Sequence, residues 1–283
     1  MTLINTARLS VVFLIALFGF TSPVAAVQPV DAPTPASFQF SGEEFFYSIR
    51  VNGVEAIRVG VRSGDVKYKK GFPYVPVTGT AQSTGFFDAV YSIDDKAHTF
   101  LHPETFQPIR SEKMFDENGS KRRYKVDFTH SNYKARVEKE KDDRTRKFTM
   151  AIPGTTHDMI SWLYDLRARP EFKAGQKVEY FVYDGWKLSR IRGTVVGKED
   201  VYTPLGWFKT WRTDFERDVM KSRRNRNKAP NITVRTEDAT TASVWLSRDK
   251  NRLPVKLKVS TSFGAGEAVV VKFNVPQRQV ATE

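Results

Sequence analysis

The sequence predicts a mainly β chain: a strongly curved or incompletely closed antiparallel β-barrel or roll with one principal helix over about residues 155–169. Three observations predict it. Apolar residues recur at every second position from Gly42 onward, helical spacing is convincing in one stretch of the chain beyond the leader, and turn-forming pairs punctuate the alternating runs. About a dozen strands in one antiparallel sheet must curve or close to hide their edges and bury one face.

The first 26 residues stand apart. Arg8 is their only charge, and an apolar run from Leu9 to Phe20 follows it, interrupted at Ser10 and Gly19. Pro23 and the small residues Val24-Ala25-Ala26 then supply a cut site, so 1–26 reads as a cleavable secretory signal. The run is shorter than the roughly 20 residues needed to span a bilayer. With no Cys, the chain has no lipidation site, disulfide, thiolate metal ligand or thiol nucleophile. Export without Cys suits a bacterial envelope, with the protein in the periplasm or associated with the outer membrane of a Gram-negative-type cell. No transmembrane span is expected after the leader. Residues 27–40, opening with three prolines, read as an extended linker, 41–276 as a single β-rich domain and 277–283 as a tail. Two β halves bridged by the helix also satisfy the pattern.

Within 41–276 the strands justify themselves in order. Phe45, Tyr47, Ile49 and Val51 share one face. Asn52-Gly53 follows, and Ile57, Val59 and Val61 alternate with Arg58, Gly60 and Arg62, a strong hairpin signal. Tyr124, Val126 and Phe128, then Tyr133, Ala135 and Val137, make a second hairpin with a charged outer face. Pro153-Gly154 closes this region. Thr155 or Thr156 can cap a helix in which Met159, Leu163 and Leu166 fall at helical spacing, with Asp158 in the first turn and Arg167 and Arg169 in the last, before Pro170. Strands resume at 177–183, 186–196, 201–203, 207–215, 241–246, 255–263 and 267–275.

The charge balance, 45 Lys+Arg against 32 Asp+Glu, gives +13, or +12 once Arg8 leaves with the signal. Such a surface favours anionic partners, and outside the cytoplasm those are membrane or wall polymers rather than nucleic acid. Enzyme templates fail: there is no phosphate-binding glycine loop, no Gly-x-Ser-x-Gly and no His-Glu-x-x-His. His98 and His102 would lie about 13 Å apart on a strand, too far to share a metal. No cofactor and no catalytic residue are assigned. A carboxylate hydrolase would need two carboxylates to converge in a cleft.

Two features can carry binding. Arg217, Lys221, Arg223, Arg224, Arg226 and Lys228 crowd one polar stretch, read either as an anion-binding loop or as a solvated insertion. The aromatic load (21 Phe, 10 Tyr, 5 Trp) is read either as core packing or as the lining of an apolar cavity, with Trp162, Trp186, Trp207 and Trp211 as candidates.

Several landmarks then fall in a recognisable order. They are Gly42-Glu43, Asp158, Leu163-Tyr164, Leu166-Arg167, Phe172-x-x-Gly175, Asp184-Gly185 and Gly206. The series closes on Trp245-Leu246-Ser247-x-Asp249-x-x-Arg252-x-Pro254-Val255. This pattern resembles the bacterial envelope family catalogued as domain of unknown function 3108, over about 40–275. Its ending is also remotely similar to lipoprotein-carrier (LolA-like) proteins, which implies a sheet curved around an apolar cavity and a lipid or lipoprotein ligand. The matched residues Gly42, Glu43, Asp158, Arg167, Gly175, Gly206, Trp245, Asp249 and Pro254 also have structural readings as turns and strand starts. The expectation is a non-enzymatic, exported envelope protein binding a lipid-like ligand in a β cavity. The alternative is a cavity-less binding or assembly protein that recognises anionic polymers or membrane through its basic loop.

Overall fold

The computed structural model describes residues 36–51, 54–141, 144–222, 232–261 and 264–276. All of them belong to one compact unit, Ala36–Glu283. The chain opens with β1 (Glu44–Val51), β2 (Val54–Ser63), β3 (Lys67–Lys69) and β4 (Phe72–Ser83). A short helix α1 (Gly85–Val90) precedes β5 (Asp94–Leu101), β6 (Pro108–Glu117), β7 (Ser120–Thr129), β8 (Lys134–Lys141) and β9 (Arg144–Ala151). After the two-residue β10 (Thr156–His157) comes the central helix α2 (Ser161–Ala168). Then follow β11 (Lys177–Tyr183), β12 (Leu188–Thr203), β13 (Gly206–Ser222), β14 (Ile232–Ser247), β15 (Pro254–Thr261) and β16 (Gly264–Asn274).

All strands join one sheet in the order β10-β11-β12-β13-β14-β15-β16-β1-β2-β4-β5-β6-β7-β8-β9, with β3 attached to β4. Neighbours are antiparallel except β10 and β11. Short turns explain this order, because each strand pairs with the one that chain reversal delivers. Val51 lies opposite Val54 across Asn52-Gly53. Asn118 and Gly119, with φ of 50° and 78°, make a two-residue turn between β6 and β7. The first and last strands pair as well, Phe45 opposite Phe273, which stitches the two halves together.

The free edges of the sheet are therefore β9 and β10, in the middle of the sequence. They do not join by a ladder among the described residues. Side chains close the seam instead: Val126, Phe128 and Val137 from one end of the sheet pack with Tyr183, Leu188 and Met220 from the other. The buried Lys113 donates from Nζ to the carbonyl of Asp184 across the seam at 3.1 Å. Gly185 is required there: a Cβ would approach Tyr124 to 3.2 Å, and its φ is 91°. The predicted incompletely closed roll is thus what forms.

Helix α2 sits against the inside of this roll. Trp162, Leu163 and Leu166 pack on β11–β14, while Tyr164 packs with Phe38, Phe40, Val75, Val77 and Leu101. The helix is shorter than the expected 155–169. Thr156 and His157 pair in parallel with Phe181 and Val182, so this stretch is extended and helical bonding starts later. The expectation of a single helix also missed α1. Phe38 and Phe40, assigned to the extended segment 27–40, are core residues, with rings 5.7 and 5.6 Å from that of Tyr164.

Candidate functional site

The N-terminal end of α2 is held by Asp158. Its carboxylate accepts the backbone N–H groups of Ile160 at 3.0 Å and Ser161 at 2.7 Å, and the Thr99 hydroxyl. Ser161 Oγ in turn accepts the Asp158 N–H at 2.9 Å and lies 3.2 Å from His157 Nδ1. This reciprocal capping satisfies donors that a helix start leaves open. Burial pushes the His157 imidazole below its ordinary range, against the smaller opposing pull of Asp165 and Asp158.

Arg167 holds the other end. Its Nη2 donates to Glu43 Oε2 at 2.7 Å, and both side chains are almost wholly buried, at 1% and 2% exposure. The same guanidinium donates to the carbonyls of Asn251 and Arg252, each at 3.0 Å. Its plane lies over the Phe40 ring, 4.0 Å from the centroid. One cation thereby joins the entry to β1, the end of α2 and the β14–β15 turn. Asp249 shapes that turn by accepting the Asn251 N–H at 2.7 Å, and Pro254 lends its carbonyl to the Tyr47 hydroxyl at 2.9 Å. Gly42 precedes Glu43 with φ of 71°, and a Cβ there would press on Pro276 at 3.0 Å. Glu43, Arg167 and two carbonyls of the β14–β15 turn, from segments far apart in sequence, thus meet at one guanidinium.

Between α2 and strands β1, β2, β15 and β16 lies an apolar cavity of about 210 Å³. Phe45, Tyr47, Val59, Val61, Leu163 and Leu257 form its walls, Tyr164 and Arg167 close one end, and Met159, 55% exposed, stands at the other. Burial pushes the Tyr164 phenol up to about 12, and raises that of Tyr47 still further, so both walls stay uncharged at neutral pH.

The four tryptophans named as candidates for a cavity lining do not line this one. Trp162 points to the other side of α2, its ring 5.3 Å from Phe215 and its Nε1 donating to the Met159 carbonyl at 3.1 Å. Trp211 stacks on Phe172 at 6.4 Å. Trp186 is carried outward by the tight turn that Asp184 closes and is 58% exposed, with Lys139 Nζ 4.0 Å from its ring. Trp207 lies opposite Tyr202 at a hairpin tip beyond the reach of β14 and is 73% exposed. Aromatic composition carried no information about which face each ring would take. Periodicity placed Phe45 and Tyr47 on a shared face correctly, but nothing in the spacing signals that Arg167 reaches Glu43.

In the candidate anion loop, Arg217 is a strand residue. It donates to Ser189 Oγ at 2.9 Å and pairs with Asp184 at 3.7 Å, because β13 runs on to Ser222 rather than ending near Phe215. Lys221 also belongs to β13, whereas Arg223, Arg224, Arg226 and Lys228 lie outside the described residues. Gly175 donates its N–H to the Val195 carbonyl at 2.8 Å, and Gly206 forms the β12–β13 turn. Trp245 is buried, with Arg212 and Lys256 5.3 and 5.1 Å from its ring. Among the described residues no cluster of His, Asp and Glu is arranged to hold a metal ion. Among them, too, no helix is long and apolar enough to cross a membrane.

A family model described as protein of unknown function, DUF3108, matches residues 46–271. The fold is similar to that of a β-barrel-like protein of domain of unknown function DUF1849 from Brucella abortus. That likeness has a TM-score of 0.52 and 10% identity over 85% of this chain and 100% of that one. A protein assigned as a lipoprotein from Parabacteroides distasonis gives 0.35, at 10% identity over 84% of this chain and 97% of that one. A protein assigned to export, with a YmcC-like fold, from Bacteroides fragilis gives 0.33, at 11% identity over 84% and 99%. No curated protein matches the sequence.

Proposed function

The chain belongs to the DUF3108 family, and on that premise we propose that it is an exported, non-enzymatic envelope protein that holds an apolar or amphipathic ligand beneath α2. Residues 1–26 are removed on export, and the remainder works in the periplasm or at the outer membrane. The observation that carries this reading is the cavity between α2 and β1, β2, β15 and β16, whose walls are aliphatic and aromatic with phenols kept neutral. Arg167, already paired with Glu43, closes its end, so an entering carboxylate or phosphate meets a compensated charge while a hydrocarbon meets apolar walls.

Its volume, about 210 Å³, is below the roughly 300 Å³ at which ordinary ligand pockets begin. A long hydrocarbon chain therefore enters by displacing Leu163 and Met159, which form the helix side of the wall, while the ends of α2 stay held by Asp158 and Arg167.

Native mass spectrometry tests this. Protein recovered from an envelope fraction, or offered a fatty acid or a lysophospholipid, is expected to carry one added mass, and Val61→Trp is expected to abolish the adduct. A bare polypeptide mass under both conditions would end the proposal.

A further inference from the structure

The register places the β12–β13 and β14–β15 turns side by side at one end of the roll, since Thr210 lies opposite Ser247 and Arg248 donates its N–H to the Lys209 carbonyl at 2.9 Å. At the first turn Tyr202, Leu205 and Trp207 are 65%, 44% and 73% exposed. The Tyr202 and Trp207 rings lie 5.4 Å apart. Burying them inside the fold was open to the chain, as it was for Trp211 a few residues on; instead they project beyond the last ladder bond to β14.

Beside them stand cations. Among the described residues Lys209, Arg248 and Lys250 have no carboxylate within ion-pair distance. Arg252 lies over the Phe172 ring at 4.6 Å and donates to the Pro170 carbonyl at 2.9 Å. Arg248, Lys250 and Arg252, together with Arg167 and Arg169, surround a hollow of about 330 Å³ whose one carboxylate, Asp249, is engaged by its own turn. The same end of the sheet carries the β3–β4 turn, because Ser63 lies opposite Val77 and Glu44 opposite Asn274. There Tyr68 and Phe72 are 54% and 75% exposed, and Lys69 and Lys70 again lack ion pairs among the described residues.

We infer that this end of the roll docks on a lipid bilayer bearing anionic headgroups. Tyr and Trp combine an apolar ring with a polar edge, the pairing that settles at the headgroup level of a membrane. Unpaired Lys and Arg around them meet the negative surface potential. An anionic wall polymer is the competing occupant, and the vesicle test below separates the two. The hollow ringed by Arg248, Lys250 and Arg252 seats one lipid phosphate. The inference stands on surface residues and does not depend on the cavity beneath α2, although Arg167 borders both hollows.

Flotation of the exported chain with vesicles of phosphatidylcholine, alone or with about a third phosphatidylglycerol, tests this. Binding is expected only with the anionic lipid, weakening at least about tenfold as salt rises from about 0.05 M to about 0.5 M. Arg248→Glu with Lys250→Glu is expected to weaken it at least about tenfold. Tyr202→Ser with Trp207→Ser is expected to do the same without moving the thermal midpoint. Lys258→Glu, a control in the groove outside β11–β15, should leave binding unchanged. Equal binding to neutral vesicles, unaltered binding by both double variants, or capture by an anionic polysaccharide without any vesicle binding would each overturn the inference. Fatty-acid uptake measured on the same variants separates the two proposals: loss of flotation with retained uptake affects this surface only.

Discussion

The groove outside β11–β15 encloses about 990 Å³, whereas the cavity under α2 holds about 210 Å³. The larger hollow is lined by charges that answer one another: Arg212 pairs with Asp214 at 2.8 Å and Glu199 at 3.4 Å, and Arg192 with Glu216 at 3.3 Å, while Lys256 on its wall pairs with Glu267 beyond it at 2.8 Å. These pairs are water-exposed and screened, and such pairs are individually weak. The smaller hollow has no compensating charges in its walls, and its single cation, Arg167, is locked to Glu43 out of contact with water. Volume alone would have chosen the wrong place. The groove is a solvated face of a twisted sheet, most of whose charges are paired within it. The cavity is unfilled apolar volume beside a helix fastened at both ends.

The contrast yields measurable differences. The largest is expected for Arg167→Ala, which leaves the Glu43 carboxylate buried without its guanidinium and should cost about 3–5 kcal/mol. That is on the order of 10 °C in the thermal midpoint for a chain of this size. Glu43→Leu combined with Arg167→Met should recover part of the loss, though two turn carbonyls then lack a donor. A midpoint within a degree of the parent for Arg167→Ala would mean that the buried pair anchors nothing.

Next comes Leu163→Ala, which widens the cavity from the helix side. It is expected to cost about 2 kcal/mol in urea unfolding while raising uptake of long-chain fatty acids in native mass spectra. Reduced uptake would place the ligand elsewhere.

A smaller effect concerns pH. Burial keeps His157 neutral in the fold, so its proton affinity there is below the ordinary value of 6.5 that it regains on unfolding. Stability is fully present above about pH 6.5 and declines as the pH falls below it, because the unfolded chain then binds the extra proton. His157→Gln should flatten the midpoint-against-pH curve between about pH 7 and pH 5; an unchanged slope would assign the acid sensitivity to other groups. Smallest of all is Asp214→Asn in the outer groove, expected to change stability by less than about 1 kcal/mol. A loss comparable with that of Arg167→Ala would erase the distinction drawn between the two hollows.

Much of the fold was legible before any coordinates. Asn52-Gly53 and the alternation around it announced the β1–β2 hairpin, and the run from Tyr124 to Val137 announced β7 and β8. Helix α2 was legible in its core, Leu163 to Arg167, but not at its start, because a parallel bridge to β11 holds Thr156 and His157 extended. The site was less accessible. Arg167 read as a cation suited to the C-terminal end of a helix dipole, a role needing no partner, and Glu43 read as the opening of a strand. That they are one ion pair depends on a contact across 124 positions. Likewise Trp207 and Trp211, four residues apart, could not be told apart until the end of β14 left one beyond the sheet and the other over Phe172.

The sequence named no strand where β3–β6, β9 and β10 form; by itself it determined the β1–β2 and β7–β8 hairpins, most of the strands after α2, the antiparallel character of the sheet and the likeness to the DUF3108 family. These follow from alternation and from turn chemistry acting over a few residues. Only the tertiary structure decided that β1 meets β16, that the seam falls between β9 and β10, and that Arg167 closes an apolar space beneath α2. Those outcomes rest on contacts between distant segments, for which neighbouring residues carry no periodic signal.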